Sequence, residues 1–484
     1  MSRRPLALAL AMAALLPASA YAEDLLQTYE LARTGDPQYA AAESQRLADK
    51  EGAVQARGAL LPQINGSARL TRSHSNDQDG LINTGRVDGN GNPIRIPSNG
   101  VGRSRGRSYG AELSQSVFDW GAISNVRVQR ALSKAADFTL DNAGGDLITR
   151  TANTYFNVLV QIETLAAAEA AEAAAKRNFD YADKRLEVGL APITDVHEAR
   201  ANYDSARAAT ILQRNALQDA YQALTEITGT RVVDLKALPD DFRPELPSEQ
   251  GVDTWVSSAL SNNPGLKSAE YQSKSAALGV DVARAGHLPT LGFNATYGRN
   301  TTWGSNTSLG AIDGSDGHDR TIGLTLTVPI FSGGVTQSRV RQAIANRDVA
   351  QDTYEQQKRA LERNTRNAYQ ALVAGVSEVE ARRLAVVSAK AAYDASQVGL
   401  EVGTRTVLDV LINQQNLFDA QTQYAVAKYQ FLQNRLLLDQ AAGSLDIEDV
   451  RDVNRLLTAD ANAQLAPDKI DAGPLPTPAA QQQQ

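Results

Sequence analysis

Few residues in this sequence are suited to chemistry, and most of them do not converge. The four histidines, His74, His197, His287 and His318, are scattered, and His197-Glu198 lacks the second histidine at the spacing a zinc-protease helix needs. Asp88-Gly89-Asn90-Gly91-Asn92 opens like a calcium loop, but Pro93 stands at the glycine position and Asn99 at that of the bidentate glutamate. The stretch from Asp313 to Asp319 reads as an exposed acidic loop. No metal, no cofactor and no catalytic constellation is expected, so a cell-envelope hydrolase has nothing to rest on. The chain contains no cysteine, which excludes disulfides, thiolate zinc sites, a cysteine nucleophile and lipid attachment at an N-terminal cysteine. What remains is a small set of charges that recurs: Asp195 follows Gly189 at the same distance as Asp409 follows Gly403, and Arg405 lies inside the second interval. Carboxylates repeated around a narrow opening favour cations and disfavour anions, so the chemistry on offer is electrostatic selection.

These residues need elements to place them, and the chain repeats itself once. At an offset of 227 positions, Pro37/Pro264, Glu43/Glu270, Gln45/Gln272, Gly52/Gly279, Arg57/Arg284, Leu61/Leu288, Pro62/Pro289 and Arg72/Arg299 match without a gap. Farther on the offset is 214, joining Tyr155/Tyr369, Glu187/Glu401, Val188/Val402, Gly189/Gly403, Asp195/Asp409, Val196/Val410 and Gly229/Gly443. The length difference falls between Arg72 and Tyr155. There, 75–105 is rich in Gly, Asn, Asp and Ser, as is its shorter counterpart 300–320, and both read as surface loops. Flanking residues alternate with period two: Ile64, Gly66, Ala68, Leu70 and Tyr109, Ala111, Leu113 in one copy, Leu291, Phe293, Ala295, Tyr297 and Ile322, Leu324, Leu326, Val328, Ile330 in the other. This pattern predicts strands with one apolar face at about 63–74, 106–118, 289–299 and 321–331.

Most of the remainder reads as helix. Proline-free runs rich in Ala, Glu, Arg, Lys, Gln and Leu predict long helices at 121–187 and 335–402, each returning after a glycine turn as a second helix, at 192–229 and 406–443. A straight helix of about 65 residues reaches on the order of 100 Å. Gly144-Gly145 is a candidate break in the first. The plan is therefore a first repeat at 23–229, a connector at 230–249, a second repeat at 250–443 and a C-terminal tail at 444–484 whose Pro-, Ala- and Gln-rich end is expected to be disordered. Residues 1–22 carry Arg3, Arg4, an apolar run and Ala20-Tyr21-Ala22, the marks of a signal peptide, so the mature chain is expected to begin at Glu23. The formal charge of −7 becomes more negative without those arginines, which disfavours nucleic acid as a partner.

No segment of the mature chain reads as a transmembrane helix. Four strands are too few for a soluble core against so much helix, and in lipid an open four-stranded sheet leaves two edges of unpaired backbone groups. Closure requires other copies: bacterial barrels have at least about 8 strands, so two subunits give the minimum and three give twelve. A periplasmic coiled-coil scaffold or tether would account for the helices and leave the strands unexplained.

With the duplicated strand-loop-strand-helix-helix plan go two turn motifs, Val188-Gly189-Leu190-Ala191-Pro192-Ile193-Thr194-Asp195-Val196 and Val402-Gly403-Thr404-Arg405-Thr406-Val407-Leu408-Asp409-Val410-Leu411. On these the chain resembles the TolC family of outer-membrane efflux and secretion channels over nearly all of 23–444. The resemblance implies a mixed fold: a homotrimer whose twelve strands, four per subunit, form one barrel in outer-membrane lipid, continued by twelve helices as a periplasmic tunnel. It implies docking to a periplasmic adaptor and an inner-membrane efflux or type I secretion transporter, and export of drugs, toxins or proteins. Lipidated relatives begin with a cysteine, which places this chain with the non-lipidated members. The turns at Gly189 and Gly403, a long helix away from the strands, would lie at the periplasmic tip. There Arg405 looks like the arginine that links neighbouring helices at a closed entrance, Thr194 and Asp195 look like its partners, and Asp409 looks like a carboxylate of the constricting ring. Leu400 stands in place of a tyrosine, Ile412 in place of a second ring carboxylate, and Asn178 in place of a glutamine of the lock. The expectation is a closed state held mainly by Arg405 with Asp195 and Thr194, around a less acidic constriction.

Overall fold

The structure is a computed structural model that describes residues 24–77, 81–97, 100–189, 192–239, 242–246, 251–306 and 310–461. The expected signal peptide and the end of the tail lie outside the described residues. In chain order the elements are α1 (Leu25–Gly35), α2 (Pro37–Gly58), β1 (Gln63–Asp77), β2 (Leu81–Val87), β3 (Pro93–Pro97), β4 (Gly100–Phe118), α3 (Trp120–Glu187) and α4 (Ile193–Thr228). They continue with β5 (Lys236–Ala237), α5 (Val252–Asn262), α6 (Pro264–Ala285), β6 (Thr290–Asn306), β7 (Gly310–Thr327), α7 (Val335–Glu401), α8 (Val407–Ala442), α9 (Ile447–Leu456) and β8 (Ala459–Asp460). The described residues fall into two compact units, one within 46–136 and 269–354, the other within 24–45, 137–268 and 355–461, and α3 and α7 contribute to both.

The first unit is built on a four-stranded antiparallel sheet in the order β1-β4-β6-β7. Its register sorts the side chains. Ile64 lies opposite Leu113, Leu113 opposite Ala295 and Ala295 opposite Ile322, an apolar row across one face. The adjacent row, Asn65, Glu112, Thr296 and Thr321, is polar and belongs to the other face, because successive side chains of a strand point to opposite sides. A bulge between Ser116 and Phe118 brings Phe118 opposite Leu291, so the aromatic ring joins the apolar face. That face is uncovered in the single chain: Leu70 is 84% exposed and Ile322 78%.

The strands run farther than expected. β4 begins at Gly100, and most of 300–320, expected as loop, is ladder between β6 and β7. Within 75–105, β2 and β3 form a separate hairpin. The Gly, Asn and Ser content that suggested loops opposes burial, but backbone pairing does not depend on it. β7 stops at Thr327, so Val328 and Ile330 lie beyond the ladder. The calcium-like segment is the turn of the β2–β3 hairpin. Asp88 Oδ1 accepts from the backbone N–H of Asn90 and of Asn92, each at 2.9 Å, so this carboxylate serves its own turn.

The second unit is helical around one core, in which Tyr155, Leu159, Leu224, Leu372, Tyr429, Leu432 and Leu436 are buried. The connector and the start of the tail both belong to it. The connector places Val232, Leu235 and Leu238 in the core. The Tyr155 hydroxyl donates to the Lys236 carbonyl at 2.8 Å and accepts from the Lys236 N–H at 2.9 Å. The start of the tail is α9, which buries Val450 and Val453 and carries a capping box of Asp446 and Asp449. Beyond it β8 pairs with β5. Asn454 binds back to the start of α1, accepting from Leu25 N at 3.0 Å and donating to Asp24 Oδ2 at 2.8 Å. Nor do Gly144 and Gly145 break α3. The helix runs through them, and Gly145 packs beside Gln440, whose Nε2 donates to Asp146 Oδ1 at 2.6 Å.

Candidate functional site

Within the helical unit, α3 passes to α4 through Gly189 (φ +73°) and α7 to α8 through Gly403 (φ +78°). Both glycines adopt the left-handed conformation that terminates helices and that a Cβ disfavours. The second turn is tightly bonded: the Gly399 carbonyl accepts from Thr404 N at 2.8 Å, Arg405 N at 3.1 Å and Thr404 Oγ1 at 3.2 Å. A Cβ at Gly399 would lie 2.6 Å from Arg405 Cγ, so the arginine's stem runs across a position that must stay bare. Gly399 escaped the sequence reading, although an isolated glycine so close to a helix end is a usable signal.

The repeat-related aspartates have different local roles. Asp409 occupies the third position of α8 and closes a capping box with Thr406, accepting from Thr406 N and Oγ1 at 2.9 Å each and donating its own N–H to Thr406 Oγ1 at 3.2 Å. Those bonds, the one from the Thr406 N–H foremost, hold the Asp409 carboxyl below the usual carboxylate range. In the first copy the cap residue is Pro192, which offers no side-chain bond, so Asp195 is not drawn into a box.

The two turns share a cavity of about 430 Å³ whose lining includes Arg185, Asp195, Glu198, Leu400 and Arg405. Folding thus brings Arg405 and Asp195 to one opening. Arg405 is 61% exposed there, and its Nη1 is 4.0 Å from Asp409 Oδ1. Thr194 is exposed at the start of α4. Asn178 does not join this group: it donates to Gln414 Oε1 at 3.2 Å, and Gln414 Nε2 donates to the Ala171 carbonyl at 2.7 Å, a polar bridge from α3 to α8. Leu400 is buried, whereas Ile412 is 51% exposed. Ala182, Val196 and Ala199, with Phe179, Leu186 and Val407 against them, form a small apolar cluster beside the turns. The arrangement can hold charges of opposite sign in a wet opening where they can exchange partners; among the described residues, no cluster of three or more His, Asp or Glu side chains gathers there to hold a metal ion.

The pattern of the family described as Outer membrane efflux protein matches residues 28–230 and 255–444, one stretch in each repeat. The chain belongs to this family. The channel is 33% identical over 443 residues to Outer membrane protein TolC of Escherichia coli (strain K12), covering 90% of this chain and 85% of that protein. It is 27% identical to the Alkaline protease secretion protein AprF of Pseudomonas aeruginosa over 90% of this chain and 88% of that one. The crystal structure of the Campylobacter jejuni CmeC outer membrane channel shares the fold, with a TM-score of 0.68 at 20% identity over 90% of each chain. The protein is therefore an outer-membrane efflux or secretion channel with a helical tunnel in the periplasm, in a family of channels and not of enzymes.

Proposed function

We propose that three copies of this chain close one twelve-stranded barrel, β7 of each pairing with β1 of the next, and that the assembly exports drugs or proteins handed on by an inner-membrane transporter and a periplasmic adaptor. The observation that carries this reading is the sheet: one apolar face, one polar face, and two edges, β1 and β7, that no strand among the described residues covers. In lipid such edges cost several kcal/mol for each unpaired group, roughly the price of burying a bare peptide group, so closure is obligatory.

In this reading the turns at Gly189 and Gly403 form the periplasmic entrance, which is held shut by Arg405 acting on Asp195 and Thr194. An exposed ion pair contributes only about 0.2–1 kcal/mol. A lock built from pairs as exposed as Arg405 therefore depends on its symmetry copies and yields when an adaptor binds the surrounding helices. Asp409, kept ionised by the bonds of its capping box, contributes a carboxylate to the constriction, and Ile412 adds none.

The test is single-channel conductance of the purified full-length protein in a planar bilayer, wild type against Arg405→Ala. A small, cation-selective conductance that rises in the variant supports channel and gate together. An unchanged conductance removes the gate from Arg405, and no conductance from well-assembled oligomers overturns the channel reading.

A further inference from the structure

The apolar face of the sheet ends in a girdle and then in a row of arginines. Tyr109 on β4 and Tyr297 on β6 belong to that face, as does Phe118 at the other end of β4. Between Phe118 and Tyr109 the strand covers about 9 residues. At about 3.4 Å per residue and a tilt of about 40° this is about 23 Å along the membrane normal, close to the ~25 Å apolar band of an outer-membrane barrel. The rings thus mark both borders of the band.

Farther from the helices the same face turns basic. Leu70 pairs with Arg107, Arg72 with Arg105, and His74 with Arg103, so Arg72, Arg103, Arg105 and Arg107 occupy successive rows of one face, about 5 to 16 Å beyond Tyr109. All four are exposed. Arg320 joins them from β7, its guanidinium 5.4 Å from the centre of the Tyr297 ring. Among the described side chains, Asp316 is the carboxylate on the row of Arg107, and Arg299 engages it, Nε to Oδ1 at 2.9 Å. Among the described residues, no carboxylate pairs with Arg72, Arg103, Arg105 or Arg107. The opposite face at the same height carries Ser73, Ser104, Gly106 and Ser108, with Arg69 opposite Ser108, so the basic character is concentrated on the side that continues the apolar band.

We propose that this arginine row is a docking surface for the phosphate groups of outer-leaflet lipid headgroups, clamping the barrel to the lipids around it. Guanidinium groups bind phosphate bidentately, and a planar fork just outside the hydrocarbon meets phosphates at the depth where headgroups lie. The lumen is the wrong side for a passing solute to explain these charges, and the excess of cations on a net acidic chain calls for an anionic partner. The inference rests on the barrel spanning the outer membrane with its hairpin ends outward.

The experiment measures binding of fluorescent lipid A to the full-length oligomer in detergent, with both phosphates present or both removed, at low and high salt. The expected result is at least about tenfold tighter binding of the phosphorylated lipid, a preference that shrinks with salt and is lost when Arg72, Arg103, Arg105 and Arg107 are all changed to Gln. Equal binding of both lipids by the wild type overturns the proposal. A preference that survives in the variant overturns its assignment to these arginines. If the variant does not assemble, the comparison of the two lipids on wild type still decides. Conductance of the same preparation shows separately whether the channel reading holds.

Discussion

Thr406 and Asp409 bond each other reciprocally at the start of α8, while Pro192 and Asp195, their counterparts in the first repeat, make no such pair. Duplicated sequence has therefore diverged in use: one aspartate holds a helix start and the other is left to face the opening between the turns.

Removing the cap should loosen the first turn of α8. Thr406→Ala is expected to speed amide hydrogen exchange there about fivefold, the usual effect of losing a side-chain cap. The start of α4 should exchange as before. Because hydrogen bonds depress the Asp409 pKa, this protection is present above the ordinary carboxylate range and is lost as the pH falls through the folded value. Exchange that is equally fast in wild type and variant at neutral pH would rule the box out as a stabilising element.

Gly399→Ala should act on the opening without removing a charge. The added methyl collides with the Arg405 stem and displaces the guanidinium, so the conductance of this variant should move in the same direction as that of Arg405→Ala. A closed channel indistinguishable from wild type would show that the path of the stem is irrelevant to the gate.

The core of the helical unit contains a charge that needs its partner. Lys428 is 2% exposed, its Nζ lies 2.8 Å from Glu163 Oε2, and the Tyr429 hydroxyl donates to Glu163 Oε1 at 2.7 Å. Burial foremost, and then the Glu163 charge, push the Tyr429 hydroxyl far above its ordinary pKa, so it stays a donor. Lys428→Met strands the carboxylate and should cost about 3–5 kcal/mol in thermal or denaturant unfolding of the assembled protein. Pairing it with Glu163→Leu should recover much of that loss, and a double variant as unstable as the single one would refute the account.

Asp439 gives the fold a pH dependence of the opposite sign to Asp409. Burial, with the charges of Asp449 and Asp446 acting the same way and Arg435 opposing, pushes its carboxyl up to about 7. The folded state therefore keeps a proton that the unfolded chain releases above about 4. The corresponding stability is fully present below that value and is lost as the pH rises through about 7. Asp439→Asn should flatten this part of the slope, so the unfolding midpoint of the variant should fall less between pH 5 and pH 8 than that of the wild type. Parallel slopes would assign the dependence to other groups.

Much of this architecture was legible from local pattern alone. Long helices declare themselves because a proline-free, helix-favouring composition accumulates over many turns, and Gly189 and Gly403 mark their reversals because a left-handed residue is most easily a glycine. Alternation around Ile64 and Ile322 marked the strands only where they face apolar surroundings. Their polar continuations were invisible, since hydrogen bonding along the ladder leaves no trace in side-chain type. Two helix-start signatures were readable in principle, Thr406 with Asp409 and Asp446 with Asp449. The second, followed by Val450, Val453 and Leu457, announces α9 in what reads as a tail.

By itself the sequence determined the repeat, the family, the helices and the two-faced strands, because each depends on residues near one another in the chain or on periodicity within one element. Only the tertiary structure decided that Asp195 shares a cavity with Arg405, that Asn178 serves Gln414, that the connector and α9 complete the core, and that the arginines of β4 line up with Arg72 of β1. These relationships join residues far apart in sequence, and they are set by helix packing and strand register, which local pattern does not encode.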